Sequence, residues 1–148
     1  MRLILDDIFG FKIYGAFTLL KSRVFAEFYN ANYEVNFEQW IILNRLWDSD
    51  GLSQGELFSL VTQSKGNLAR TLKKMESDHL VRRKVNPLDQ RSQLIYLTKK
   101  SKQLKEPLRK IAFEVISLSL KGVKAEELDI ATKVLDQVSY NLKGKKDE

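Results

Sequence analysis

The sequence predicts a mainly α-helical protein with one small β-hairpin, and three observations carry that prediction. Apolar residues recur at three- and four-residue steps through most of the 148 positions. Only two prolines are present to interrupt helices. Strand-like runs occur only at residues 81–85 and 93–97, with turn chemistry between them. The length suits one domain, residues 1–148.

A first helix is expected from about Leu5 to Tyr29, where Ile8, Phe9, Ile13, Phe17, Leu20, Val24 and Phe28 repeat at helical spacing. A second is expected from Phe37 to Trp47 through Trp40, Ile41, Leu43 and Leu46, and Asp48 to Leu52 forms a turn. Ser53 and Glu56 have the spacing of a capping box, so a short helix should follow with Leu57 and Leu60 inward. Thr62 to Ser64 breaks the pattern. A fourth helix spans about Ser64 to Asp78 and buries Leu68, Leu72 and Met75. Two short helices joined by a tight turn, the second basic, make a helix-turn-helix. The hairpin after it is a wing, with residues 86–91 at its tip, so the expected architecture is a winged helix-turn-helix. Thr98 to Leu120 is expected as a long helix kinked at Pro107 and ended at Lys121-Gly122. Glu126 to Leu142 forms a last helix with Leu128, Ala131, Leu135, Val138 and Leu142 on one stripe, and Lys143 to Glu148 is expected to fray.

Charge points to a polyanionic partner. Residues 61–105 hold 12 lysines and arginines against 3 acids, while the whole chain carries +6, so one segment carries more than all of the excess. On a helical wheel of residues 64–78, Gly66, Arg70, Lys73 and Ser77 lie opposite Leu68, Leu72 and Met75, with Asn67 and Lys74 to one side. A glycine costs a helix about 1 kcal/mol relative to alanine, but on the outward face of the first turn it lets a backbone approach a groove floor. Arg70 offers a bidentate fork suited to guanine, and Asn67 pairs well with adenine. Ser64, Lys65 and the free N–H groups of the helix start suit a phosphate. Arg82, Arg83 and Lys84 are consecutive on a strand, so they cannot all face one way, and at least one should meet phosphate or pair with an acid. Arg91 near the hairpin tip is the candidate for the minor groove. Asp89 would be repelled by DNA and is expected to orient a wing arginine by a charge-assisted bond.

Several of these stretches resemble the MarR family of regulators. Asn86-Pro-Leu-Asp89-Gln-Arg91-Ser92 is similar to the family's wing signature, Leu97-Thr98-Lys99-Lys100 to its exit from the wing, and Phe37-Glu-Gln39-Trp40 to the opening of its second helix. The likeness in motifs covers Leu52 to Leu104, and in helix order nearly the whole chain. It implies a homodimer on a near-palindromic operator, with the fourth helix in the major groove and wing tips in the minor groove, while the lack of cysteine, signal and membrane run reads most simply as a cytoplasmic protein. It also implies a repressor released by a small aromatic or anionic ligand. It implies DNA contacts at Ser64, Asn67, Arg70 and Arg91, with Asp89 as support. On this resemblance residues 36–100 form the reading lobe, and residues 1–30 and 105–142 the dimerisation region. Three departures stand out: His79 where many members have glycine, at a position needing a left-handed backbone; Ala69 where many have a hydroxyl; and no cysteine, which excludes the peroxide-sensing branch's chemistry.

The aromatic-rich segment 5–29 has two readings, a bundle core or a ligand cleft lined by Tyr14, Phe17, Trp40 and Trp47. The alternatives to a specific reader are a non-specific architectural DNA-binding protein and a ligand-binding module without DNA readout. No nucleophile–base pairing, metal-spaced cluster, P-loop or dinucleotide fingerprint is present, so neither an enzyme nor a cofactor or metal is expected. No apolar run approaches the about 18 residues of a membrane span, and Asp6 and Asp7 fall where the apolar core of a secretory signal would begin.

Overall fold

A computed structural model describes residue 4 and residues 7–143. In chain order the elements are α1 (Phe9–Asn30), α2 (Phe37–Asp48), β1 (Leu52–Ser53), α3 (Gln54–Leu60), α4 (Lys65–Ser77), β2 (Val81–Asn86), β3 (Asp89–Leu97), α5 (Lys99–Ser119) and α6 (Ala125–Leu142). The first helix thus starts at Phe9 rather than near Leu5, which lies outside the described residues, as do 144–148 of the expected frayed tail. Pro107 sits inside α5 without ending it. The chain divides into two compact units, one through Val115 and one from Ile116, with the boundary inside α5. No described helix is long and apolar enough to cross a membrane.

The first unit has one core. Phe28 of α1, Ile42, Leu43 and Leu46 of α2, Leu57 of α3, Leu68, Leu72 and Met75 of α4, Ile95 of β3 and Leu108 of α5 are all essentially inaccessible. These are the apolar stripes of the helices turned to a common centre, which is where most helical stability comes from. Leu60 departs from the expectation: it is the last residue of α3 and stays 42% exposed.

The turn between α2 and α3 is built around Gly51. Its φ is +78°, and its amide donates to the carbonyl of Ile95 at 3.1 Å. A Cβ there would lie 2.7 Å from the Tyr96 ring, so both the backbone and the space require glycine. Asp50 accepts from the Leu97 amide at 2.8 Å. Together these tie the turn to the base of the hairpin and let residues 52–53 add a short strand. The sequence pattern did not show that strand, because two residues have no period. Gly51→Ala is expected to cost about 1–3 kcal/mol, read as a lowered thermal midpoint. An unchanged midpoint would mean that neither the left-handed backbone nor the ring contact constrains this turn.

The sheet has the order β1-β3-β2, all antiparallel. Its hairpin is tighter than expected, since β2 runs to Asn86 and β3 begins at Asp89, leaving only Pro87 and Leu88 as the turn. Asn86 pairs with Asp89 across an irregularity between Val85 and Asn86. In the second unit, α6 buries no residue: of its expected stripe, Leu128, Leu135 and Leu142 are exposed and Val138 is half-buried.

Candidate nucleic-acid interface

The geometry of the helix-turn-helix follows from two caps. Ser53 accepts from the Glu56 amide at 3.2 Å while Glu56 takes the Ser53 amide at 2.7 Å, completing the capping box expected there. The Ser53 amide, and then its hydroxyl, hold the Glu56 carboxyl below its ordinary value. A depressed pKa means this cap contributes above the ordinary carboxylate range and fades as pH falls through the lowered value. Ser64 caps α4 by accepting from the Asn67 amide at 3.3 Å. At its other end α4 closes through His79, whose φ is +57°, with Leu80 donating to Met75 and His79 to Glu76. The histidine thus occupies the left-handed position expected of it, and Thr98 fixes its carbonyl at 2.7 Å.

With both ends fixed, α4 divides into two faces. Leu68, Thr71, Leu72 and Met75 are buried, and Gly66, Arg70, Lys73 and Ser77 are exposed. A side chain added at Gly66 would meet nothing within 4 Å, so no protein contact requires glycine there. Asn67 is half-buried beside the Thr71 hydroxyl, which donates to the Asn67 carbonyl at 2.9 Å. Among the described residues Arg70 and Lys73 have no ion-pair partner, but Lys74 is held by Asp78 at 2.6 Å. Lys65 lies over the Phe58 ring, 5.4 Å from its centre.

Alternation sorts the three cations of β2. Arg83 is opposite the buried Ile95 and pairs with Glu76 of α4 at 2.9 Å and with Gln54 at 3.2 Å. It is therefore the one that pairs with an acid, and it fastens the wing to the helix. Arg82 and Lys84 are exposed on the other face, where Lys84 lies 5.4 Å from the centre of the Tyr96 ring. Arg91 is exposed beyond the tip. Asp89 does not bind a guanidinium: its Oδ1 accepts the backbone amide of Arg91 at 3.0 Å. Its support of the wing runs through the backbone, because a two-residue turn brings that amide closer than any arginine head.

The four residues expected to line a cleft differ in their burial. Trp47 is buried and its indole N–H donates to the Ser101 carbonyl at 3.0 Å, so it belongs to the core. Trp40 is half-buried edge-on to Phe28 and Trp47. Tyr14 and Phe17 are exposed. An open groove of about 970 Å³ lies elsewhere in the first unit, walled by Phe25, Tyr33 and Phe37, with Lys21, Lys74 and Lys100 among its polar groups. Its floor includes a second capping box, Asn36 with Gln39, whose side chain also reaches Asp78 at 3.4 Å. The Asn36-x-x-Gln39 spacing was the available signal for that box.

The profile of the MarR family matches residues 35–93, from just before α2 into β3. Relatives agree. The chain is 29% identical over 138 residues to the HTH-type transcriptional regulator TtmR of Methylorubrum extorquens, covering 91% of this chain and 66% of that one. It is 25% identical over 135 residues to the HTH-type transcriptional regulator MgrA of Staphylococcus aureus, covering 82% and 90%. Over residues 35–93 the chain is similar to the MarR family. It spans just under two thirds of TtmR and most of MgrA. The family fold extends along the chain: Bordetella bronchiseptica BpsR superposes with a TM-score of 0.83 at 15% identity, covering 94% of this chain and 98% of that one. A MarR transcriptional regulator from Methanosarcina mazei superposes with 0.77 at 24% identity, covering 90% and 96%. The relatives are named transcriptional regulators, and in this chain the exposed face of α4 and its hairpin carry Arg70, Lys73, Arg82, Lys84 and Arg91.

Proposed function

We propose that this chain is a MarR-family, sequence-specific repressor that binds a near-palindromic operator as a homodimer in the cytoplasm and leaves it when a small aromatic anion binds. The observation that carries the reading is the two-faced α4, with Arg70 exposed and without an ion-pair partner beside a side-chain-free Gly66. Base readout needs that arrangement, whereas phosphate binding alone does not. Ser64, Lys65, Asn67, Lys73, Arg82 and Arg91 extend the same interface, with Lys84 beside them. Residues 36–100 act as the reading lobe. Residues 1–30 and 105–142 dimerise, a role supported by the exposed apolar side chains Phe9, Phe17, Leu19 and Phe113 of the first unit and Ile116, Ile130 and Val134 of the second, area that water does not favour.

The effector site is the groove beside α1 and α2, where three aromatic walls suit a small aromatic ligand and Lys21 and Lys100 can meet its anionic group, while Lys74 is held by Asp78 and Glu34 and Glu38 line the groove as well. BpsR, a structural neighbour, has its DNA binding regulated by 6-hydroxynicotinic acid. The ligand acts by preferring one spacing of the two reading helices over the other.

The test is binding of the purified protein to the DNA upstream of its own gene and to a scrambled duplex, across a salt series. A preference of at least about 10³-fold at physiological salt, with affinity falling steeply as salt rises, is expected. Equal, salt-steep binding to both duplexes, and to sequences enriched from a random pool, would favour an architectural role, which the basic segment alone also fits. No binding at low salt would overturn both.

A further inference from the structure

Leu88 is the most exposed large apolar residue described, at 95%. Single exposed leucines are ordinary on protein surfaces, but the setting of this one is not. It stands at the tip of the hairpin, after a proline that fixes its own φ. The tip is locked from both sides. The Asn86 side chain accepts the Leu88 amide at 3.0 Å and donates to the Ser92 hydroxyl at 3.0 Å, and Asp89 accepts the Arg91 amide at 3.0 Å. These bonds fix the backbone at Leu88, whose side chain points into solvent. Val85, 58% exposed, adds apolar surface just behind it.

The surroundings say what such a leucine would meet. The exposed cations of the same hairpin, Arg91 near the tip and Lys84 and Arg82 further along β2, attract a polyanion. The minor groove of duplex DNA combines phosphate rims with apolar sugar walls and stacked base edges. Leucines presented there by other DNA-binding proteins act as wedges that part a base step and bend the duplex.

We infer that Leu88 is an apolar wedge that enters the minor groove and partly unstacks one base step, so that this protein bends the DNA it holds. The inference rests on the DNA-reading role proposed above. It adds a contact that favours flexible pyrimidine–purine steps at positions the arginines do not touch.

The experiment uses duplexes enriched from a random pool by the wild-type protein, and a random A·T-rich duplex, each carrying 2-aminopurine at successive adenines and end labels for energy transfer. Wild type should raise 2-aminopurine emission at one position per wing and shorten the end-to-end distance. Leu88→Ala should abolish both signals and lower affinity about three- to tenfold, the loss expected from one uncovered leucine contact. Leu88→Met should keep them. Base preference elsewhere should not move. The residue is solvent-exposed, so neither variant threatens folding. Unchanged emission and bending in Leu88→Ala would overturn the wedge, as would equal losses in Leu88→Ala and Leu88→Met. Failure to enrich any sequence would overturn the specific-reader role alone, because the A·T-rich duplex still judges the wedge.

Discussion

Trp47→Ala is expected to lower the unfolding free energy by about 3–5 kcal/mol, the range for a large aromatic removed from a packed core. The indole is only 8% exposed and meets Trp40 edge-on with ring centres 5.6 Å apart. The Arg109 guanidinium lies 5.6 Å from its ring centre and is itself tied to Asp48 at 2.8 Å. The indole N–H donates to Ser101 at 3.0 Å, joining α2 to the first turn of α5. Alanine would remove the packing, the hydrogen bond and the surface on which Arg109 rests. Trp47→Phe keeps most of the area and loses the hydrogen bond, so about 1–2 kcal/mol is expected. Urea denaturation at one fixed protomer concentration separates the two. A loss below about 1 kcal/mol for Trp47→Ala at unchanged slope would place the indole outside the cooperative core.

Trp47 also shows where sequence reading stops. Helical periodicity marks which residues turn inward, and it placed α2 through α5 to within a few residues because their stripes are regular. It does not distinguish an aromatic that fills a core from one that lines a cleft, since both are apolar and spaced alike. Only the partners decide: the carbonyl of Ser101 lies 54 residues away in sequence from the ring it fixes. The same holds for the wing. That at least one of Arg82, Arg83 and Lys84 should meet phosphate or pair with an acid was legible from strand alternation. That it is Arg83, and that Glu76 is the acid, depends on how β2 crosses α4. Asp89 was legible as support, but its partner was not, because the sequence did not reveal that the turn is two residues long. Local devices fared better. The Ser53 and Glu56 box and the left-handed His79 are set by neighbours three or four residues away, and both are found as expected.

Arg70→Ala carries the largest functional consequence. Arg70 sits on the exposed side of α4, directly across from a face whose three large residues are fully buried, so the helix cannot rotate to hide it. No acid among the described residues holds its guanidinium, leaving that fork free to meet a base edge. A bidentate contact to guanine contributes about 1–3 kcal/mol of discrimination. The variant should therefore bind the preferred duplex about 5- to 150-fold more weakly and lose its preference at one base pair per half-site, while its thermal midpoint stays within about 1 °C of wild type, as for a surface substitution. Lys73→Ala is the control, since an exposed lysine meeting phosphate should weaken binding to every sequence alike and reduce the salt slope by about one. Gly66→Ala separates approach from contact. A methyl there meets no protein atom, so the helix should gain slightly in stability while binding weakens, because the methyl holds the backbone off the groove. Selection from a random pool with each variant measures all three. If Arg70→Ala lowers affinity equally for every sequence, the arginine touches phosphate and the readout lies elsewhere on this surface.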